Sequence, residues 1–351
     1  MNTVIETTPN SVSILVDNKL WVWGLNLQHF LHDSIQFIKH PRQISKEKNF
    51  KFISASFFDA IAIDENGFLW KWGKETYENS EIKTSLNKKY YPFKIFETEK
   101  WIKVSIANEH NFCGIKNDSS LWIIGEDKCK LFKDYYNSSL TEIGKGQKWV
   151  DVSLGNLHGL ALSSKTVLST WGQNLFNQMG ITDYINQGRS TKCIKFQTIE
   201  NNNGWNNFDV CTTNSLALKR DKSLWFWGDT SYNSMAVSPQ LLPKRNLLNF
   251  SWNKVSTSET HSFAIKDDGT LWAKGRNSYG QLGNGTTIEN LKFTQIGNDS
   301  NWIDIKASLY YSIGVKSNGT IWTWGKNDNF QLGDGTTNES HIPQQIKLVE
   351  E

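Results

Sequence analysis

The sequence predicts an all-β protein, a seven-bladed β-propeller with four-stranded blades, and three observations predict it. A strand-like unit ending in glycine recurs seven times, tight-turn dipeptides separate apolar runs within the recurrences, and proline falls in the last run of several copies. Self-similarity at a period of roughly 20 to 50 residues outranks local readings, because it is the signature of repeat architectures.

The recurring unit reads Leu20-Trp-Val-Trp-Gly24, Leu69-Trp-Lys-Trp-Gly73, Leu121-Trp-Ile-Ile-Gly125, Leu168-Ser-Thr-Trp-Gly172, Leu224-Trp-Phe-Trp-Gly228, Leu271-Trp-Ala-Lys-Gly275 and Ile321-Trp-Thr-Trp-Gly325. The terminal glycines are spaced by 49, 52, 47, 56, 47 and 50 residues. Upstream of each glycine lies an aliphatic run such as Trp101-Ile-Lys-Val-Ser105 or Trp302-Ile-Asp-Ile-Lys306, counted here as the second strand of a copy. A third run follows it, as in Phe263-Ala-Ile265. Asn66-Gly67, Asp268-Gly269 and Asn318-Gly319 then supply the positive φ angles of tight hairpins. The run beyond the glycine, seen in Tyr91-Pro-Phe-Lys-Ile95 and Ile342-Pro-Gln-Gln-Ile346, carries proline and so belongs on an exposed rim, where a missing ladder donor is harmless.

Four-stranded units must bury two faces each, and a ring of blades does so while leaving only short edges. Residues 1–351 are therefore expected to form one propeller. Val4 to Gly24 matches Val255 to Gly275 without a gap, so the first copy is expected to begin at its second strand. On that phase the spare strand Ile342–Ile346 is expected to close the ring by completing the first blade.

Composition supports a packed core, with 38% hydrophobic residues and 16 tryptophans. The charges nearly cancel, 38 basic against 35 acidic for a net +3, so neither a nucleic acid nor a membrane partner is expected. Cys113, Cys129, Cys193 and Cys211 lack the paired spacing of a zinc or redox site and read as reduced thiols, with no metal or cofactor. No stretch approaches the ~20 apolar residues that span a bilayer, and no signal peptide is visible. The expectation is a soluble monomer, cytoplasmic or exported without a cleaved signal.

Two copies carry finer detail: Gly269-Thr-Leu-Trp-Ala-Lys-Gly-Arg-Asn-Ser-Tyr-Gly-Gln-Leu-Gly-Asn-Gly-Thr-Thr287 and Gly319-Thr-Ile-Trp-Thr-Trp-Gly-Lys-Asn-Asp-Asn-Phe-Gln-Leu-Gly-Asp-Gly-Thr-Thr337. They resemble the repeat of the regulator of chromosome condensation family, and Trp171-Gly-Gln-Asn-Leu-Phe-Asn-Gln-Met-Gly180 resembles it clearly as well. The resemblance implies a seven-bladed propeller. For function it implies a range of partners, since members act as exchange factors for a small GTPase of nuclear transport, ultraviolet sensors, β-lactamase inhibitors or bacterial effectors.

The tryptophans all fall at repeat-equivalent positions and read as inter-blade core, not as a light-sensing cluster. Gly280-Gln-Leu-Gly-Asn-Gly285 lacks the lysine and helix of a phosphate loop, so its glycines are expected to shape a tight turn. His110, His158 and His261 share one turn position with Asn10, Asp59, Asn214 and Tyr311, and are expected to hydrogen-bond their own turns. No catalytic constellation appears, so the chain is not expected to be an enzyme.

What remains is surface. With alternating strands, the turn between the second and third strands and the loop after each Trp-Gly should emerge on one side. The candidate partner-binding residues on that side are His29, Phe30, Tyr77, Glu109, His110, His158, Tyr232, His261 and Tyr310. Aromatic anchors among polar neighbours suit a protein interface. Phe176, Tyr279 and Phe330 share a position suited to loop staples, and the insertions Glu75–Tyr91 and Ile181–Asn203 are candidate binding loops. The expected function is a protein-binding scaffold, with regulation of a small GTPase by nucleotide exchange its most specific form; the alternative is an enzyme-inhibitory or other interaction propeller without GTPase activity.

Overall fold

Each copy folds as one antiparallel meander, because its apolar runs are joined by turns and loops that bring each run back beside the one before it. In copy six the strands are Trp252–Thr257, His261–Lys266, Leu271–Gly275 and Asn290–Gln295, paired in that order. Seven such four-stranded sheets make the chain a seven-bladed β-propeller of the all-β class. The computed structural model describes residues 3–28, 30, 35–73, 92–107, 111–126, 136–181, 193–199, 203–229, 240–248 and 250–348. They divide into two compact units, 1–152 with 329–337 and 348–351, and 153–328 with 338–347.

The hairpins do more than reverse the chain. Gly67 and Gly269 sit at φ +90° and +78°, and Ser119, Thr166 and Lys222 hold the same left-handed place at 68°, 63° and 64°. The carbonyl of each accepts the N–H that opens the next copy, as in Trp101 N to Gly67 O at 2.8 Å and Trp302 N to Gly269 O at 3.0 Å. Consecutive blades are thus stitched at the turn. The fourth strands lie at sheet edges and contain Pro41, Pro243 and Pro343, as the proline pattern predicts.

Two expectations are corrected. The strand Ser340–Ile346 does not complete the first blade; it pairs with Ile321–Gly325 of its own copy, and the first blade is complete from Thr3–Thr7, Ser11–Val16, Lys19–Leu25 and Phe37–Ile44. The run counted as second in the sequence is each blade's first strand. Pairing with the strand just formed closes a loop of a dozen residues or so, far shorter than a return to the opposite end of the chain would need. What reaches the first blade is the loop Asn329–Thr337, which belongs to the first unit. There Trp23 Nε1 donates to Gln331 O at 2.9 Å and Gly335 N to Lys39 O at 3.1 Å.

The ungapped match of copy one to copy six also hides a shift. The turn Asp17-Asn18, with φ of 48° and 66°, is one residue shorter than its counterpart. Ser11, not Asn10, therefore faces Gly24 as His261 faces Gly275.

The tryptophans separate into layers. Trp101, Trp149, Trp205, Trp252 and Trp302 at the first strands, and Trp23, Trp72, Trp171, Trp227 and Trp324 before the glycines, are buried in the core. Trp122, Trp225, Trp272 and Trp322 are half-buried at its margin. Each donates Nε1 to the hydroxyl two residues earlier, at 2.7 to 3.0 Å, and the ammonium of Lys116 or Lys316 lies over the Trp122 or Trp322 ring at 3.8 or 3.7 Å.

Candidate functional site

Turns and loops meet on one side of each blade, because the residue after each Trp-Gly donates its N–H back to the turn between the first two strands. Leu25 N bonds Asn10 O at 2.9 Å, Asp229 N bonds Thr213 O at 2.9 Å and Lys326 N bonds Tyr310 O at 3.0 Å. The loop that follows is built from within in the copies that keep the full motif. Asn277 Oδ1 accepts Leu282 N at 2.8 Å and Gln281 Oε1 accepts Tyr279 N at 3.0 Å, and Asn174 and Gln178 repeat the pattern in copy four.

The loop glycine then slides under a tryptophan of the following copy. A Cβ added at Gly180, Gly283 or Gly333 would meet the Trp227, Trp324 or Trp23 indole at 2.8, 2.7 or 2.9 Å. These glycines allow close approach of backbone to ring, in keeping with the tight-loop reading. The sequence of copies two and five lacks the motif, and the next copies lack the tryptophan, having Ile124 and Lys274. Copy three lacks it too, and Trp171 stacks instead on Phe196 of its own copy at 5.6 Å.

Lys274 lies between the rings of Phe226 and Phe293, 4.9 and 5.4 Å from their centroids, and burial pulls its pKa down to about 8. Its charged form is thus penalised in the folded state, and the group's contribution to stability rises as pH climbs from 8 toward 10.5. Lys274→Met is expected to raise unfolding free energy at pH 7 by up to about 3 kcal/mol, with the gain shrinking toward pH 10; urea unfolding at both pH values checks it.

Of the candidate residues, His158 and His261 are corrected from surface to interior. Ser215 Oγ donates to Gln178 O at 2.9 Å and so accepts from His158 Nε2 at 2.8 Å; Ser312, Gln281 and His261 repeat the arrangement at 2.8 Å each. His261 also meets Thr260 Oγ1 of its own turn at 2.9 Å, as the turn reading expects. Burial pushes both imidazoles down to a pKa of about 3, so they are neutral latches between blades and offer no surface to a partner. Phe30 is buried as well, its ring 5.7 Å from that of Trp72. His29, Tyr77, Glu109, His110 and Tyr232 lie outside the described residues, as do 75–91 and most of the 181–203 insertion.

Tyr310 is half-exposed and stands edge-on to Tyr279, ring centroids 5.2 Å apart. Lys326 Nζ lies 5.3 and 5.4 Å from the two rings and 2.8 Å from Asp328, whose hydrogen bond raises the lysine's pKa. Along the same turns of copies four to six, Asn156 Nδ2 donates to Thr212 Oγ1, which donates to Glu259. In the first unit the exposed Phe57 packs edge-on to Phe58 at 4.7 Å. Phe57 and the polar chain were not among the sequence candidates. The signal was partial, since Phe57 stands where the turns of copies four to six have Asn156, Thr212 and Glu259 but that of copy seven has Leu309. Among the described residues, no group of three or more His, Cys, Asp or Glu is placed to hold a metal ion, and no helix is long and apolar enough to cross a membrane.

Consecutive copies bonded at turns and loops, with the turn between the first two strands and the loop after the glycine on one side of each blade, define a repeat-built propeller. Residues 268–315 and 318–351 match one description of the regulator of chromosome condensation (RCC1) repeat, and 252–281 and 302–331 match a second. Solved structures agree on the fold. Prp20p of Saccharomyces cerevisiae, described with its binding properties to Gsp1p and histones, superposes with a TM-score of 0.79 at 19% identity, covering 99% of this chain and 88% of that one. Yeast RCC1 (Prp20) bound to Kap60 gives 0.78 at 18%, covering 98% and 85%. Human WBSCR16 gives 0.76 at 15%, covering 94% of each chain. No curated protein matches the sequence.

Proposed function

We propose that the chain is a non-enzymatic scaffold that binds a protein through its turn-and-loop side, and that it regulates a small GTPase by promoting nucleotide exchange. The observation that carries the binding reading is the Tyr279–Tyr310–Lys326 cluster. Two adjacent phenol rings sit over a cation, with neither hydroxyl hydrogen-bonded among the described residues. Tyrosine in such a setting supplies apolar area and a hydrogen-bonding tip at little entropic cost, the usual character of an interface anchor. The likeness to Prp20p, described as binding Gsp1p, supports a GTPase as the partner. Exchange needs a surface that competes for the GTPase's nucleotide site and no proton-transferring side chain, consistent with the buried, neutral histidines.

Release of a fluorescent guanine nucleotide from a panel of small GTPases tests this. Accelerated release from one member, reduced at least about tenfold by Tyr279→Ala/Tyr310→Ala, is expected if two anchors of 1 kcal/mol or so are lost. Absence of acceleration across the panel removes the exchange reading. The scaffold reading then rests on a pull-down in which the same double variant loses the captured partner.

A further inference from the structure

The connections from each fourth strand to the next copy's first strand are repeat-equivalent, and five of the six contain a polar stretch, preceded in copy two by the half-buried Phe96. They read Lys46-Glu-Lys48, Glu97-Thr-Glu99, Lys145-Gly-Gln147, Glu200-Asn-Asn202 and Gly297-Asn-Asp299 after copies one to four and six. Copy five alone places Leu247-Leu248 and Phe250 there. Leu247 is 93% exposed, and Leu248, Phe250 and the nearby Leu242 are each 37% exposed. The Phe250 ring is half-anchored, 5.8 and 5.1 Å from those of Trp252 and Trp272, with Lys266 Nζ 4.6 Å away. Leu247 has almost no contact with its own chain. It projects from the surface, the disposition of a side chain that enters something and does not receive it.

The charge around the tip has one sign left over. Lys244 and Arg245 are exposed beside it, and residues 240–254 contain no Asp or Glu. Carboxylates of this blade and the next have cations of their own, Lys222 holding Asp267 at 2.5 Å, Lys266 holding Asp268 at 2.7 Å and Lys254 holding Asp304 at 2.9 Å, while the single carboxylate of Asp221 faces two cations, Arg245 and Lys219, so a positive surplus remains. A projecting apolar pair with cations at its base complements a soft apolar layer lying beneath anions.

We propose that Leu247 and Leu248, with Lys244 and Arg245, form a docking tip for an anionic lipid surface, the leucines entering the headgroup boundary and the cations facing phosphates. This departs from the expectation of no membrane partner. That expectation rests on a net charge of +3 over the whole chain, which a local surplus does not move. The tip lies on connections and not on the turn-and-loop side, so it is independent of the GTPase reading.

Co-sedimentation with phosphatidylcholine vesicles, with and without phosphatidylserine, is the test. At low salt the protein is expected to bind the anionic vesicles at least about fivefold better, and Leu247→Ser/Leu248→Ser and Lys244→Gln/Arg245→Gln should each return binding to the neutral level. All four side chains are exposed, so the melting temperature should stay unchanged. A fluorophore at Leu247→Cys should shift to the blue on anionic vesicles only. Equal binding to both vesicles, or binding indifferent to the leucines, overturns the proposal. Binding of soluble polyglutamate with the same residue dependence, and no vesicle binding, assigns the tip to an acidic protein instead.

Discussion

Trp324→Ala is expected to destabilise the protein by about 3 to 5 kcal/mol, because it empties a site that three elements fill together. The indole is fully buried among Phe263, Leu282, Ile305 and Trp302, and its Nε1 donates to Gln281 O at 2.9 Å. Truncation removes the apolar area and also leaves a buried carbonyl with one donor fewer. The loop glycine Gly283 cannot follow the retreating wall, since its backbone is fixed by Asn277 and Gln281. Trp322→Ala serves as the control: that indole is half-buried at the core's margin, so its loss should cost clearly less. Denaturant midpoints of the two variants measure the difference, and equal losses would remove the distinction between the two tryptophan layers.

Acid should act through the histidine latches. His158 and His261 are held neutral, with pKa values near 3 against an ordinary 6.5, and no carboxylate contributes to either shift. The unfolded chain therefore binds more protons than the folded one. Their contribution to stability is complete above pH 6.5 and is lost as pH falls toward 3. Two such groups are worth about 2.7 kcal/mol per pH unit, or about 5 kcal/mol between pH 6.5 and 4.5. Copy five has Asn214 at the same place, its Oδ1 accepting from Thr257 Oγ1 at 2.7 Å, so asparagine is a tolerated non-titrating substitute. The variant His158→Asn/His261→Asn should lose much less stability over that window. Urea unfolding at pH 7 and pH 4.5 decides the matter, and parallel losses in both proteins would place the acid sensitivity elsewhere.

The fold was legible in the sequence because each repeat writes its own strands. The Leu-Trp units, the Asn-Gly and Asp-Gly hairpins and the rim prolines are local signals, and each sits where they place it. Closure was less legible, because it depends on which neighbour a strand chooses. Ile342–Ile346 reads equally as the last strand of one blade or the first of another, and only pairing with Ile321–Gly325 decides. The missing residue in the Asp17-Asn18 turn was invisible for a related reason: an ungapped match can run straight through a strand that has slipped by one.

The site was read in outline and missed in detail. Turn and loop positions were placed on one side correctly, because strand direction alternates. Histidine and Phe30 were misjudged as surface because position in a turn does not reveal burial: Ser215 and Ser312 of the adjoining copies cover the imidazoles, and Trp72 covers Phe30. Such contacts join residues some fifty positions apart, and no local pattern records them. Departures of one copy from its siblings were the better guide, as Phe57, Lys274 and Leu247 each show.

No blade borrows a strand from another copy, so the span that is duplicated in the sequence and the span that is hydrogen-bonded in the sheet are the same. A gain or loss of one copy would leave every remaining ladder intact and disturb the turn, side-chain and loop contacts at two seams. Such a chain can change its repeats one at a time, each free to drift as long as the tryptophan beyond its loop is lost with it or finds another ring, as Trp171 finds Phe196. The pairs that have lost both partners, before Ile124 and before Lys274, have the form such drift leaves behind.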